Sequence, residues 1–157
     1  MSKIIYRCNG IIIKNIGDSL LYYFPYSDTD KIGLTNCIEC GLEMIRSKKY
    51  LSQQLVSEGL PSVDFRISAD YGTVFFMKTS INDSIDIIGT PVNMSSKINR
   101  LAAKNQFVIG SDLFQMAKEL KLWEFKEIND YSLGFKQSYP VYLISDKYVS
   151  QNLKNGT

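Results

Sequence analysis

The feature that most constrains this fold is a hairpin-like pattern near the N-terminus. A β-branched run ends at Gly17-Asp18, and a second apolar and aromatic run follows. Two such runs separated by a Gly-containing pair are typical of antiparallel strands joined by a tight turn. The pattern predicts strands over 10–16 and 19–24. It places the carboxylate of Asp18 at the tip of the hairpin, with Lys14 four residues before it, where a divalent cation could bind.

The composition indicates one folded domain. The chain has 157 residues, of which 45% are hydrophobic and 22% are charged, as in globular proteins. We predict a domain over 1–147 and a polar tail over 148–157. The net charge of +2 is too small to indicate a nucleic acid or membrane partner. Neither a membrane-spanning apolar run nor a signal-peptide pattern is found, so the expected location is cytoplasmic.

The absence of histidine restricts the chemistry. It excludes Ser-His-Asp and Cys-His catalysis, histidine-ligated zinc and a histidine general base. Any reaction must therefore use carboxylates, lysine, arginine, hydroxyls or a metal ion held by oxygen.

The three cysteines include a C-x-x-C at Cys37 and Cys40. A second C-x-x-C is lacking, so a four-cysteine zinc site within one chain is not available. The segment 31–46 has helical apolar spacing, and cysteines three apart on a helix usually pack in the core as small hydrophobes. A redox role or an intermolecular metal site is the alternative.

The rest of the chain alternates helical and strand patterns. The predicted helices are 1–9, a stretch ending near Arg46, a second beginning at Ser47 and ending near Gly59, 91–103, and 112–120 capped by Ser111. The predicted strands are 63–69 and 73–78, paired as a hairpin turned at 70–72, then 85–88, 107–109, 123–128 and 139–144. Without a Rossmann glycine motif, this mixture predicts an α+β fold in which helices pack on one face of a largely antiparallel sheet.

Four segments, in order, resemble motifs of the class III nucleotidyl cyclases, the adenylate and guanylate cyclase family. Residues 14–18 match K-x-I-G-D, and 65–74 resemble R-I-G-I-H-x-G-x-V. Residues 85–97 resemble Y-D-x-W-G-x-x-V-N-x-A-x-R, with the Asp, Gly, Val and Asn at the family spacing. Residues 107–111 match the strand-Ser-helix step that follows. The resemblance covers about 4–145.

The resemblance implies a ferredoxin-like, cyclase-type sheet and a signalling enzyme. Such an enzyme converts a nucleoside triphosphate into a 3′,5′-cyclic nucleotide and pyrophosphate. Its chains pair head to tail, so a homodimer is expected. Two aspartates hold two Mg²⁺ or Mn²⁺ ions, which activate the 3′-hydroxyl and neutralise the triphosphate. A cationic side chain stabilises the charge that develops at the α-phosphate.

The resemblance also assigns roles to individual residues. Asp18 matches the second metal aspartate. Lys14 matches the base-contacting lysine of adenylate cyclases, and Asp86 matches its adenine-selecting partner. Guanylate cyclases usually carry Glu and Cys at these two positions, so ATP is the expected substrate. Asn93 matches the asparagine near the ribose, and Lys97 stands at the transition-state arginine.

Four of these residues also have an ordinary structural interpretation. Asp18 could be a turn former and Lys14 an outward strand lysine. Asp86 could be a capping or ion-paired aspartate. It lies in an apolar sequence context, where burial without a partner would be costly. Asn93 could be an ordinary residue of the first helical turn.

The sequence departs from the family pattern in three places. The first metal aspartate belongs to an N-terminal strand that these residues lack, so we expect impaired activity unless upstream residues supply it. Lys97 keeps a positive charge but lacks the planar fork of arginine. Leu133 stands where a triphosphate-binding lysine usually precedes the glycine, and Lys136 is the candidate substitute. The alternative function is a catalytically degenerate module for nucleotide binding, dimerisation or regulation.

Overall fold

The computed structural model describes residues 1–26, 31–78, 85–128 and 139–147. Its helices are α1 (Ser2–Arg7), α2 (Ile32–Ser57), α3 (Thr90–Ile98) and α4 (Ser111–Lys118), with a 3-10 turn over Asn99–Leu101. Its strands are β1 (Ile11–Ile16), β2 (Ser19–Tyr23), β3 (Arg66–Ala69), β4 (Phe75–Lys78), β5 (Ile85–Ile88), β6 (Gln106–Gly110), β7 (Trp123–Glu127) and β8 (Val141–Asp146). The predicted tail over 148–157 lies outside the described residues.

The strands form a four-stranded sheet and two hairpins. The sheet has the order β3-β6-β8-β7, while β1 pairs with β2 and β4 pairs with β5. Among the described residues, only β3 and β6 pair in parallel; the other pairs are antiparallel. The predicted α+β fold with a mostly antiparallel sheet is confirmed, as is the hairpin that carries Asp18 at its turn.

The core lies mainly on one face of the sheet. Side chains alternate between the two faces along a strand. Phe107 and Ile109 of β6 accordingly join the large cluster formed with α2 and α4, while Val108 packs with Ile98 of α3 at the other face. The central strand β6 is therefore buried on both sides. Most helical packing is on the face covered by α2 and α4, but α3 packs on the opposite face, so the helices are not confined to one face as predicted.

A glycine allows α2 to approach the sheet closely. A Cβ at Gly41 would lie 2.4 Å from Cε1 of Phe107, which is itself buried. Because a buried ring has no free space to move into, a side chain at Gly41 would push the helix away from β6. Cys40 is fully buried beside it, and Cys37 packs at the edge of the same cluster, as predicted for core cysteines.

The predicted helix break at Ser47 is wrong. One continuous helix, α2, runs from Ile32 to Ser57. The hydroxyl of Ser47 donates a hydrogen bond to the carbonyl oxygen of Glu43 at 2.8 Å, so it is satisfied inside the helix rather than at a cap. Ser111 is likewise the first residue of α4, and Gly110 occupies the N-cap position.

The predicted hairpin over 63–78 is also wrong. Strands do form in both halves, but β3 pairs with β6 and β4 pairs with β5. Alternation of apolar and polar residues indicates that a segment is a strand but does not identify its partner. Asp70 instead accepts a hydrogen bond from the backbone N–H of Tyr71 at the end of β3, and the chain then leaves that sheet.

Candidate functional site

An ion pair between two strands lies at the centre of the candidate site. Nζ of Lys14 on β1 donates to Oδ2 of Asp86 on β5 at 2.5 Å. The backbone N–H of Ile87 donates to Oδ1 of Asp86 at 2.8 Å. The hydrogen bond from Lys14, followed by that from Ile87, holds the pKa of Asp86 below its usual range. The structure thus gives Asp86 the partner that its apolar sequence context requires.

The ion pair is accessible and is bordered by apolar side chains. The side chains of Lys14 and Asp86 are 43% and 30% exposed. Met77 is the cross-strand partner of Asp86, and Phe75 is the partner of Ile88 two residues along; all three apolar side chains are exposed. A cationic donor and an anionic acceptor beside apolar surface can recognise a flat ring through its hydrogen-bonding edge.

Asp18, the candidate metal ligand, lies at the tip of a hairpin. It occupies the turn between β1 and β2, closed by the pairing of Ile16 with Ser19, and it is exposed. In the part of the chain that the structure describes, no three histidine, cysteine or acidic side chains gather as possible metal ligands. A single carboxylate leaves two ions short of protein ligands, so the described residues do not form a complete two-metal site by themselves.

Two further candidates share one face of α3. Asn93 and Lys97 are four residues apart and both exposed, while Met94 and Ile98 are buried against the sheet. Residues at this spacing are neighbours on a helix surface. An amide and an ammonium group are therefore presented together one to two turns after the start of α3.

The position of α3 depends on a glycine after Asp86. Gly89 has φ +157°, and a Cβ there would lie 2.7 Å from the carbonyl oxygen of Thr73. A larger residue would strain the backbone and push the chain at position 89 away from Thr73. Gly89 therefore lets β5 pass directly into α3. Lys136, the candidate triphosphate-binding lysine, lies outside the described residues.

The comparison with protein families decides the identity of this domain. The chain matches the adenylate and guanylate cyclase catalytic domain family over residues 1–146. The chain belongs to this family. No curated protein matches it.

Solved structures with the same fold include cyclases of both base specificities. The adenylyl cyclase CyaB from P. aeruginosa is 22% identical, with a TM-score of 0.80 over 93% of this chain and 76% of that chain. The guanylate cyclase domain of RhGC from Catenaria anguillulae, in complex with GTP, is 17% identical, with a TM-score of 0.76 over 92% and 77%. The non-canonical dimeric guanylyl cyclase domain of the RhoGC fusion protein from Blastocladiella emersonii is 16% identical, with a TM-score of 0.76 over 92% and 76%. At these identities, the similarity shows a shared fold.

The cyclase domain also contains a cleft that sequence reasoning missed. It has a volume of about 500 Å³ and lies among the end of β3, the hairpin β4–β5 and the first turns of α3 and α4. Its lining includes Asp70, Thr73, Phe75, Gly89, Thr90 and Asp112.

Among the described helices of the cyclase domain, none combines the length and the hydropathy of a membrane-spanning segment.

Asp70, which lines this cleft, has a raised pKa. The hydroxyl of Tyr139 lies 2.8 and 2.9 Å from the two carboxylate oxygens of Asp70, close enough to donate to either. Burial, together with a smaller effect of the charge of Asp112, raises the pKa of Asp70 to about 6 despite the hydrogen bonds from Tyr139 and Tyr71. The signal for Asp70 in the sequence is its position, since the motif that residues 65–74 resemble has histidine there.

We predict that Asp70 makes the stability of the cyclase domain depend on pH. Its pKa is raised from 3.8 to about 6 on folding, so the folded state binds the proton more tightly. The resulting stabilisation is complete below pH 3.8 and is lost as the pH rises through about 6. Allowing for partial exposure, we expect the loss to be about 2 kcal/mol.

Urea unfolding of the wild type and of Asp70→Asn across this pH range measures the effect. The amide of the variant can still accept a hydrogen bond from Tyr139 but does not titrate. The free energy of unfolding of the wild type should fall relative to that of the variant as the pH rises. Parallel pH profiles would show that Asp70 does not titrate abnormally.

Proposed function

We propose that this chain is the catalytic domain of a class III cyclase that converts a nucleoside triphosphate, preferably ATP, into a 3′,5′-cyclic nucleotide and pyrophosphate. The observation that carries the proposal is the 2.5 Å ion pair between Lys14 and Asp86 on a cyclase fold. A lysine ammonium only donates hydrogen bonds, and a carboxylate only accepts them. Adenine has an acceptor at N1 and a donor at N6, so its edge complements this pair.

Base binding requires the two side chains to exchange partners. In the structure Lys14 and Asp86 form an ion pair with each other, and both side chains are partly exposed. An ion pair of this kind contributes only about 0–1 kcal/mol to stability. Hydrogen bonds to charged groups contribute about 1.5–3 kcal/mol each. The base can therefore replace the internal contact, and the exposed side chains of Phe75, Met77 and Ile88 can pack against the faces of the ring.

The remaining roles follow from the placement of α3. Asn93 would hold the ribose, and the ammonium of Lys97 would stabilise negative charge that develops at the α-phosphate. Both lie on the exposed face of the helix that begins directly after β5. We propose a homodimer in which the partner chain completes each site. A solved structure of the same fold, from Blastocladiella emersonii, is a non-canonical dimer, so this fold can associate in pairs.

Mg²⁺ or Mn²⁺ would activate the 3′-hydroxyl and neutralise the triphosphate. Among the described residues, Asp18 is the single candidate ligand that the family pattern supplies. We therefore propose that a polypeptide of these 157 residues has impaired turnover, and that its nucleotide recognition is the part to test first.

Calorimetric titration with ATP and with GTP tests the proposal. We expect ATP to bind more tightly than GTP, because guanine presents an N1 donor to Lys14 and an O6 acceptor to Asp86. Equal affinities would contradict the preference for ATP. Failure to bind either nucleotide, for a chain shown to be folded by circular dichroism, would contradict nucleotide recognition altogether.

A degenerate cyclase-homology module is the second candidate, and Lys97 favours it. Lysine cannot form the bidentate contacts that arginine makes with phosphate oxygens. Nucleotide binding without turnover in a longer form that carries the first metal aspartate, together with turnover gained by Lys97→Arg, would support this second function over the first.

A further inference from the structure

A third polar residue continues the exposed face of α3 beyond Asn93 and Lys97. Arg100 lies in the 3-10 turn over Asn99–Leu101, which directly follows α3, and it is exposed, as Asn93 and Lys97 are. Residues at i, i+4 and i+7 lie on one face of an α-helix, and residues three apart are aligned in a 3-10 turn. Either geometry places Arg100 on the same face as Lys97.

Contacts with the sheet hold this turn in place. Ile98 and Ala102, on either side of the turn residues, are buried in the smaller core cluster. The side-chain amide of Asn99 donates a hydrogen bond to the hydroxyl of Ser68 on β3 at 3.1 Å. Arg100 is therefore carried by a turn that is anchored to the sheet, and not by a loose surface loop.

The charge around Arg100 is positive. Residues 87–111 contain three basic residues and no aspartate or glutamate. Among the residues that the structure describes, Arg100 forms no ion pair, whereas Arg46 pairs with Glu39 and Asp146. A planar guanidinium beside a second cation suits a polyphosphate, because it can donate two parallel hydrogen bonds to phosphate oxygens.

The candidate groups follow one another in the order of the parts of a nucleotide. Asp86, the proposed base contact, precedes α3, and Asn93, the proposed ribose contact, lies in its first turns. Lys97 lies about 6 Å further along the helix axis, and Arg100 lies about 5 Å beyond Lys97. Because the Cα–Cβ bonds of a helix tilt towards its N-terminus, the long side chain of Arg100 can extend back towards Lys97.

We propose that Arg100 binds the β- and γ-phosphates of the nucleoside triphosphate, next to Lys97 at the α-phosphate. This inference rests on the proposed function, since it concerns the same nucleotide site. The guanidinium supplies the planar pair of donors that the ammonium of Lys97 lacks. Arg100 thereby favours a triphosphate over the unphosphorylated nucleoside and holds the pyrophosphate as it leaves.

Calorimetric titration with ATP and with adenosine at low ionic strength tests this role on the 157-residue chain. Arg100→Gln should weaken the binding of ATP by about 10-fold or more, because charge-assisted hydrogen bonds to phosphate are lost. It should leave the affinity for adenosine unchanged. Arg100→Lys keeps the charge without the planar fork and should weaken ATP binding less. The control Lys49→Gln removes one exposed charge from α2 and should bind ATP as the wild type does.

The outcomes separate this inference from the proposed function. An unchanged affinity of Arg100→Gln for ATP would overturn the inference. An equal loss of affinity for ATP and adenosine would also overturn it, because it would indicate that Arg100 only supports the structure of α3. A wild-type chain that binds ATP no more tightly than adenosine would overturn it while leaving base recognition intact. Binding of neither ligand by the folded wild type would contradict the proposed function itself, and this inference with it.

Discussion

Replacing Lys14 by Glu and Asp86 by Cys together is expected to move the triphosphate preference from ATP towards GTP. A glutamate can accept the N1–H of guanine, and a thiol can donate weakly to O6. For adenine, the glutamate at position 14 would place a hydrogen-bond acceptor against the N1 acceptor. The N6 amino group would also lose Asp86 as its acceptor. With about 1.5–3 kcal/mol for each charge-assisted hydrogen bond, the affinity ratio should change by at least about 100-fold.

Competition of ATP and GTP for the folded chain measures this ratio. The turnover ratio in a longer form that carries the first metal aspartate provides a second readout. Lys49→Glu, at an exposed position of α2, controls for the change in charge alone and should keep the preference for ATP. If the double variant also keeps that preference, Lys14 and Asp86 are structural residues and the proposed base selection is wrong.

The parts of the site that the sequence predicts well are local. The turn that carries Asp18 follows from neighbouring residues, because apolar runs around Gly17-Asp18 leave little choice of structure. The spacing of Asn93 and Lys97 on one helix face is equally local. The contact between Lys14 and Asp86 spans 72 positions, and only the resemblance to the cyclases connected the two residues in advance.

The failures concern contacts between distant segments. The pattern before Asp70 predicts the strand β3 but does not identify β6 as its parallel partner. The predicted pairing with the next strand in the sequence is therefore wrong. Burial in the folded chain raises the pKa of Asp70, and Tyr139, which donates a hydrogen bond to its carboxylate, is 69 positions away in the sequence. The periodicity of apolar residues describes one helix or strand at a time and carries no information about contacts between distant elements.

Asp18→Asn is expected to have the largest effect on turnover. In a longer form that carries the first metal aspartate, it should lower cyclic nucleotide production from ATP by about 1,000-fold or more, because a carboxylate ligand of the ions that stabilise the transition state becomes neutral. Asparagine is well tolerated in turns, so the hairpin should persist. For the 157-residue polypeptide itself, we expect no more than trace production with Mg²⁺ or Mn²⁺.

The control for this experiment is the neighbouring Ser19→Ala, which changes the same exposed turn without removing a charge and should retain most of the turnover. Nucleotide selectivity should be the same in Asp18→Asn as in the wild type, since Lys14 and Asp86 lie on strands rather than at the turn. Full turnover by the asparagine variant would refute the assigned role of Asp18, because it would make Asp18 a turn former and place the metal ligands elsewhere in the chain. Robust cyclic AMP production by the 157-residue polypeptide would instead contradict the expected impairment, which rests on the single metal carboxylate that the family pattern supplies among these residues.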